Sequence, residues 1–83
     1  MINNTICLAD LKENESGIIT SIDTKSATAQ RLLDLGFVPG TQIKALKRAP
    51  MGDPTTFEIR GYQLGLRRSE SEIIEVEITT NGK

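Results

Sequence analysis

Apolar and polar residues alternate with a period of two along most of the chain, and one stretch near the middle switches to a helical period. The first alternating run is "GIITSI", with Ile18, Thr20 and Ile22 on one face and Ile19 and Ser21 on the other. Its β-branched content predicts a strand, and either face can turn inward because Ile19 is as apolar as its neighbours. "TQIKALKR" sets Ile43 and Ala45 against Gln42, Lys44 and Lys47, with Leu46 off the pattern. In "TTFEIRG", Phe57 and Ile59 share a face opposite Glu58 and Arg60; in "YQLGLRR", Tyr62, Leu64 and Leu66 are expected inward. "IIEVEI" is the cleanest alternation, with Ile74, Val76 and Ile78 inside and Glu75 and Glu77 outside. Leu8 and Leu11 in "CLADLK" suit one helical turn, as does "SESE", whereas "TTNGK" reads as a flexible tail over 79–83.

The helical stretch is "TKSATAQRLLDLG". Ser26 is the expected N-cap, since its hydroxyl can accept from an otherwise unpaired backbone N–H. Ala29, Leu32 and Leu33 follow the i, i+3, i+4 spacing of a buried face, leaving Gln30, Arg31 and Asp34 toward water. Gly36 suits the positive-φ position just past a helix end, and Phe37 the apolar position that folds back onto Leu32. Pro39 and Gly40 match the central pair of a type II turn, which would deliver the chain into a strand at Thr41. "APMGDP" is a loop, because its prolines and glycine cannot continue a ladder.

The order is strand, helix, then four short strands. Five short strands in so small a chain predict a mainly β fold with an inserted helix, curled into a partly closed barrel that buries one face and limits exposed edges. The 83 residues are expected to form a single domain, with an ordered core over about 8–78.

Composition narrows the function. Ten basic and eleven acidic residues give a net charge of −1, which supplies no basic field for phosphates, and three aromatics leave little for base stacking. The single Cys7 cannot form an internal disulfide. No window reaches the roughly 18 apolar residues of a membrane span, and the first residues lack the basic start and apolar run of a secretory signal. A cytoplasmic protein without direct membrane insertion is expected.

Three motifs in order, "RLLDLGFVPG", "APMGDPTTFEIRG" and "LGLRRSESEIIEVEI", resemble the FeoA family of small components of bacterial ferrous iron uptake, over roughly residues 8–78. The resemblance implies a small Src-homology-3-like five-stranded β-barrel with a helix after the first strand. It further implies an accessory role beside FeoB, the membrane transporter with a cytoplasmic G domain that moves Fe(II). The same domain type ends longer metal-dependent repressors, but this chain resembles the free-standing form. One departure is "LKENESG", where relatives often carry proline or glycine.

Candidate chemistry is sparse. Without histidine, Ser/His/Asp or Cys/His catalysis is excluded, and Cys7 has no activating partner visible in the sequence, so a non-enzymatic protein is expected. The carboxylates Asp10, Glu13 and Glu15 near the start, and Glu70, Glu72, Glu75 and Glu77 near the end, read as solvated faces; carboxylates alone bind divalent ions weakly. No cofactor is expected, and Fe(II) is the implied transported ion rather than a tightly bound ligand. Given a G domain in the implied partner, Arg48, Arg67 or Arg68 could act as an arginine finger; otherwise arginines pair with acids such as Glu58 and Glu75. A docking surface is the better expectation, with Met51 an adaptable apolar contact, Asp53 beside it available to a basic partner, and the turn at Val38 a second patch. Rival readings are a nucleic-acid-binding barrel, a receptor for proline-rich peptides and a weak transition-metal binder, with weak self-association through strand edges also in view.

Overall fold

A computed structural model of the chain describes residues 5–79. Six strands, β1 (Thr5–Cys7), β2 (Ser16–Ile22), β3 (Gln42–Arg48), β4 (Thr55–Ile59), β5 (Tyr62–Leu66) and β6 (Ile74–Ile78), form one sheet in the order β1-β6-β2-β3-β4-β5. Every pairing is antiparallel. A 3-10 turn (Leu8–Asp10) follows β1, α1 (Ala29–Asp34) connects β2 to β3, and α2 (Arg68–Ser71) connects β5 to β6. The class is the expected one, mainly β with a short helix. The sheet has six strands rather than five, and β1 and β5 remain its free edges. The extra strand, β1, pairs with β6 (Thr5 opposite Glu77, Cys7 opposite Glu75), so both described ends of the chain lie side by side.

The core gathers Leu8, Leu11, Ile19, Leu32, Phe37, Ile43, Ala45, Phe57, Ile59, Leu66, Ile74 and Val76, all essentially buried. Two bulges explain where simple alternation fails. Thr20 is the extra residue between Ile19 opposite Val76 and Ser21 opposite Glu75, so Ile19 and Ile22 both reach the core side. Its hydroxyl donates to the Glu75 carbonyl at 3.2 Å. Leu46 is likewise the extra residue of β3 against β4, which accounts for its off-pattern position. On β5, the expectation for Tyr62 is corrected: it is exposed, and its hydroxyl donates to the Leu35 carbonyl at the end of α1. Thr79 is tied to the sheet through its N–H to Ser16 O at 2.9 Å, and the rest of the expected tail, 80–83, lies outside the described residues.

Helix α1 is shorter than the apolar spacing suggested. Its cap position is Thr28 rather than Ser26; the Ser26 hydroxyl accepts the Thr28 N–H at 3.2 Å in the turn just before it. Leu32 is buried, but Leu33 is half-exposed, and Leu35 takes its place against the core. Within α1 the buried stripe is Ala29 and Leu32, so Leu33 lies to the side of it, and Leu35, at the C-cap, packs on the core instead. The reversal is a Schellman motif. Phe37 N–H bonds Leu32 O and Gly36 N–H bonds Leu33 O, both at 3.0 Å, with Gly36 at φ 110°. Phe37 is fully buried beside Leu32. The type II turn follows: Thr41 N–H bonds Val38 O at 3.1 Å, with Gly40 at φ 95°.

Gly17 is needed for a different reason, which is space. It sits in β2 between β3 and β6, opposite both Ile43 and Ile78, and a Cβ built on it would stand 2.9 Å from the Glu77 carbonyl oxygen.

Candidate functional site

The loop between β3 and β4 runs over 49–54 and closes on itself, with Ala49 N–H to Pro54 O at 2.9 Å and Gly52 N–H to Ala49 O at 2.7 Å. Its tip carries Met51, 94% exposed and the most exposed large apolar side chain among the described residues. Asp53 anchors the loop to the start of α2: one carboxylate oxygen accepts the Arg68 N–H at 2.9 Å, and the other lies 3.8 Å from the Arg67 guanidinium. The same helix start is held by Glu70, which accepts the Arg67 N–H at 2.8 Å and pairs with Arg31 of α1. Arg68 contacts Glu72 at 3.1 Å and Asp10 at 3.4 Å.

Met51, Asp53, Arg67 and Arg68 are therefore brought together. Arg31 joins them, a residue that the helical spacing had only placed toward water. These ion pairs are more than half exposed on the arginine side, so they orient the guanidinium groups while adding little stability. Among the described residues the acids that serve as partners are Asp10, Asp53, Glu70 and Glu72, and Glu58 and Glu75, expected to fill that role, form no ion pair there. Glu75 instead accepts from the Ser21 hydroxyl at 3.2 Å.

Arg48 and Val38 stand apart from this group. The Arg48 guanidinium turns onto backbone, donating to Leu11 O at 2.9 Å, to Ala9 O at 3.4 Å and to the Thr55 hydroxyl at 3.2 Å. Its own N–H is taken by the Glu13 carboxylate at 2.7 Å. Arg48 thus ties the segment around the 3-10 turn to β3. An Arg48→Met change is expected to lower stability by about 1–3 kcal/mol, since those carbonyls lose a charged donor. Urea unfolding checks this; a variant as stable as the parent would show that the clamp carries nothing. Val38 is half-buried in the turn after α1.

Cys7 is half-buried, with its thiol facing the Ser71 and Glu72 carbonyls at 3.7 and 3.4 Å. Among the described residues, no three His, Cys, Asp or Glu side chains converge to hold a metal ion. No helix among them is long and apolar enough to cross a membrane.

The model of the FeoA domain matches residues 6–78, nearly the whole chain. The chain belongs to the FeoA domain family. A FeoA-like protein from Clostridium acetobutylicum superimposes with a TM-score of 0.91 at 34% identity, covering 100% of this chain and 95% of that one. FeoA of Stenotrophomonas maltophilia, solved in complex with zinc and described as a prokaryotic SH3-domain protein considered as a ferrous iron transport activating factor, matches at TM-score 0.75 and 28% identity. There the match covers 86% of this chain and 88% of that one. The six-stranded sheet with its short helix is thus the SH3-like FeoA architecture. A Porphyromonas gingivalis protein that fuses Fe(2+) transport protein A to the Fe(2+) transporter FeoB is 31% identical over 74 residues. The match covers 89% of this FeoA domain but 9% of the fusion protein. The family is in this way linked to ferrous iron transport.

Proposed function

We propose that the chain is a non-enzymatic accessory of bacterial ferrous iron uptake that docks on the cytoplasmic part of a FeoB-type transporter and biases its transport-competent state. The observation behind this reading is the relative in which a FeoA domain and FeoB are one polypeptide. Fusion holds two domains at an effective concentration in the millimolar range; a separate chain reaches the same proximity only through a surface with real affinity. The face built from the β3–β4 loop and α2 suits that task. Met51 offers a flexible apolar contact, and Arg31, Arg67 and Arg68 are charges already oriented by their acids. The protein would then work at the inner face of the membrane, held there by its partner.

A ligand shifts an equilibrium only by its differential affinity for the two states. The expected result is about a tenfold or larger difference in affinity for the nucleotide-free and nucleotide-bound transporter, measured with the purified proteins. Equal affinities would eliminate the bias, and failure of the two to co-purify would eliminate docking. Anaerobic iron uptake in cells lacking the chain should fall.

A further inference from the structure

We propose that the free edge of β5 is a docking site that takes an extended acidic segment of the partner as a seventh strand. The inference deepens the docking reading and rests on it for its biological setting.

The geometry starts at the hairpin between β4 and β5. Arg60 and Gly61 form a two-residue loop with φ of 53° and 87°, the signature of a type I′ turn. Such a loop makes Ile59 and Tyr62 a hydrogen-bonded pair, and alternation then makes Phe57 with Leu64 and Thr55 with Leu66 the next ones. The N–H and C=O of Gln63 and Gly65 consequently point away from β4. Neither residue has a hydrogen bond on that side among the described residues, and both are exposed.

Edge strands are normally blunted by short length, proline, inward charge or a bulge. The opposite edge, β1, is described over Thr5–Cys7 and runs directly into the 3-10 turn. β5 is five residues long, pairs without a bulge, and contains neither proline nor a charge. Gly65, alternating with the inward Leu64 and Leu66, adds no side chain to the outer face of the sheet beside this edge.

Charge defines what fits there. Arg60 lies in the turn at one end of the strand, its side chain passing beside Gly36 at the end of α1, and Arg67 stands at the other end. Arg60 occupies a left-handed position that Asn or Gly would fill with less strain, and its guanidinium makes no hydrogen bond or ion pair among the described residues. The Arg67 side chain is 69% exposed, and its guanidinium is paired only loosely, 3.8 Å from the Asp53 carboxylate. A second copy added antiparallel, with Gln63 opposite Gly65, would set Arg60 against Arg68 and Gly61 against Arg67, gathering like charges at both ends. A segment of about seven residues with carboxylates at its two ends spans the same distance, about 23 Å at strand rise, and meets a cation at each end.

The test uses the purified chain and two synthetic peptides, Glu-Asp-Val-Thr-Val-Asp-Glu and its counterpart with lysine in place of every acid. The acidic peptide is expected to bind at least tenfold tighter, to weaken with added salt, and to protect the Gln63 and Gly65 amides from hydrogen exchange. Gly65→Pro removes the outward N–H at an edge position that tolerates proline, and Arg60→Asn removes the charge while supplying the residue the turn prefers. Each is expected to weaken peptide binding about tenfold, with Arg60→Asn unfolding no earlier in urea than the parent. Should Gly65→Pro fail to fold, Arg60→Asn and the exchange pattern decide. Equal binding of both peptides, absence of binding at millimolar peptide, or unchanged affinity in Arg60→Asn would each overturn the edge site. The docking reading is judged separately, by co-purification of the transporter with the unaltered chain.

Discussion

Replacing Phe37 by alanine is expected to remove about 3–5 kcal/mol of stability, more than any other change considered. The ring is fully buried, and it stands where the helix-ending motif, the type II turn and the core meet. Truncation deletes its apolar contacts and leaves a cavity that collapses poorly, because Phe37 is held in place by its N–H bond to Leu32 O. A domain of 83 residues has on the order of 4–12 kcal/mol in total, so the variant is expected to be largely unfolded or close to its midpoint in buffer. Urea denaturation followed by circular dichroism reads the loss. Phe37→Leu, which keeps most of the volume, should retain a cooperative transition. A loss below about 1 kcal/mol in Phe37→Ala would mean that the reversal after α1 is not part of the cooperative core.

The second large effect is a reversal of sign. Glycine to alanine in a strand usually stabilises, by about 0.4–1 kcal/mol, because the unfolded chain loses freedom. At Gly17 the added methyl would stand 2.9 Å from Glu77 O and 3.3 Å from the Val76 Cβ. Both belong to β6, which is fixed by β1 on its other side, so neither can retreat without moving two strands. Gly17→Ala is therefore expected to cost about 1–3 kcal/mol, the usual penalty of overpacking. Gly65→Ala is the matched comparison, since its nearest neighbour is Thr55 O at 4.0 Å. A Gly65→Ala midpoint at or above the parent's, alongside a clear loss in Gly17→Ala, is the expected pattern; two equal midpoints would contradict it.

What could be read from the sequence was mostly local. The β6 alternation, the inward Ile43 and Ala45, and the Gly36–Phe37 and Pro39–Gly40 reversal depend on residues within one turn or one strand, and they stand in the structure as expected. The rest depends on neighbours distant in the chain. The bulges at Thr20 and Leu46 arise from register against β6 and β4, so alternation alone could not say which face of β2 is buried. β1 is too short to show a period, and its partner is β6, at the other end of the sequence. Tyr62 has an apolar ring and so reads as core, but its hydroxyl finds a carbonyl only because the hairpin overlies the end of α1. Arg48 reads as a surface charge because the carbonyls it serves, at Ala9 and Leu11, leave no mark on the residues around it. The face of the candidate site was visible as exposed loop and arginines. The hairpin at Arg60 was missed, although a two-residue "RG" between two alternating runs is its local signal.

The pairing of Thr5 with Glu77 has a topological corollary. The polypeptide enters and leaves the folded unit at one corner, so the unit can be threaded into a surface loop of a larger protein, like a bead on a doubled string, without unzipping the sheet. Joining that corner with a short linker and opening the chain at the Met51–Gly52 tip would reorder the sequence while preserving every ladder described above.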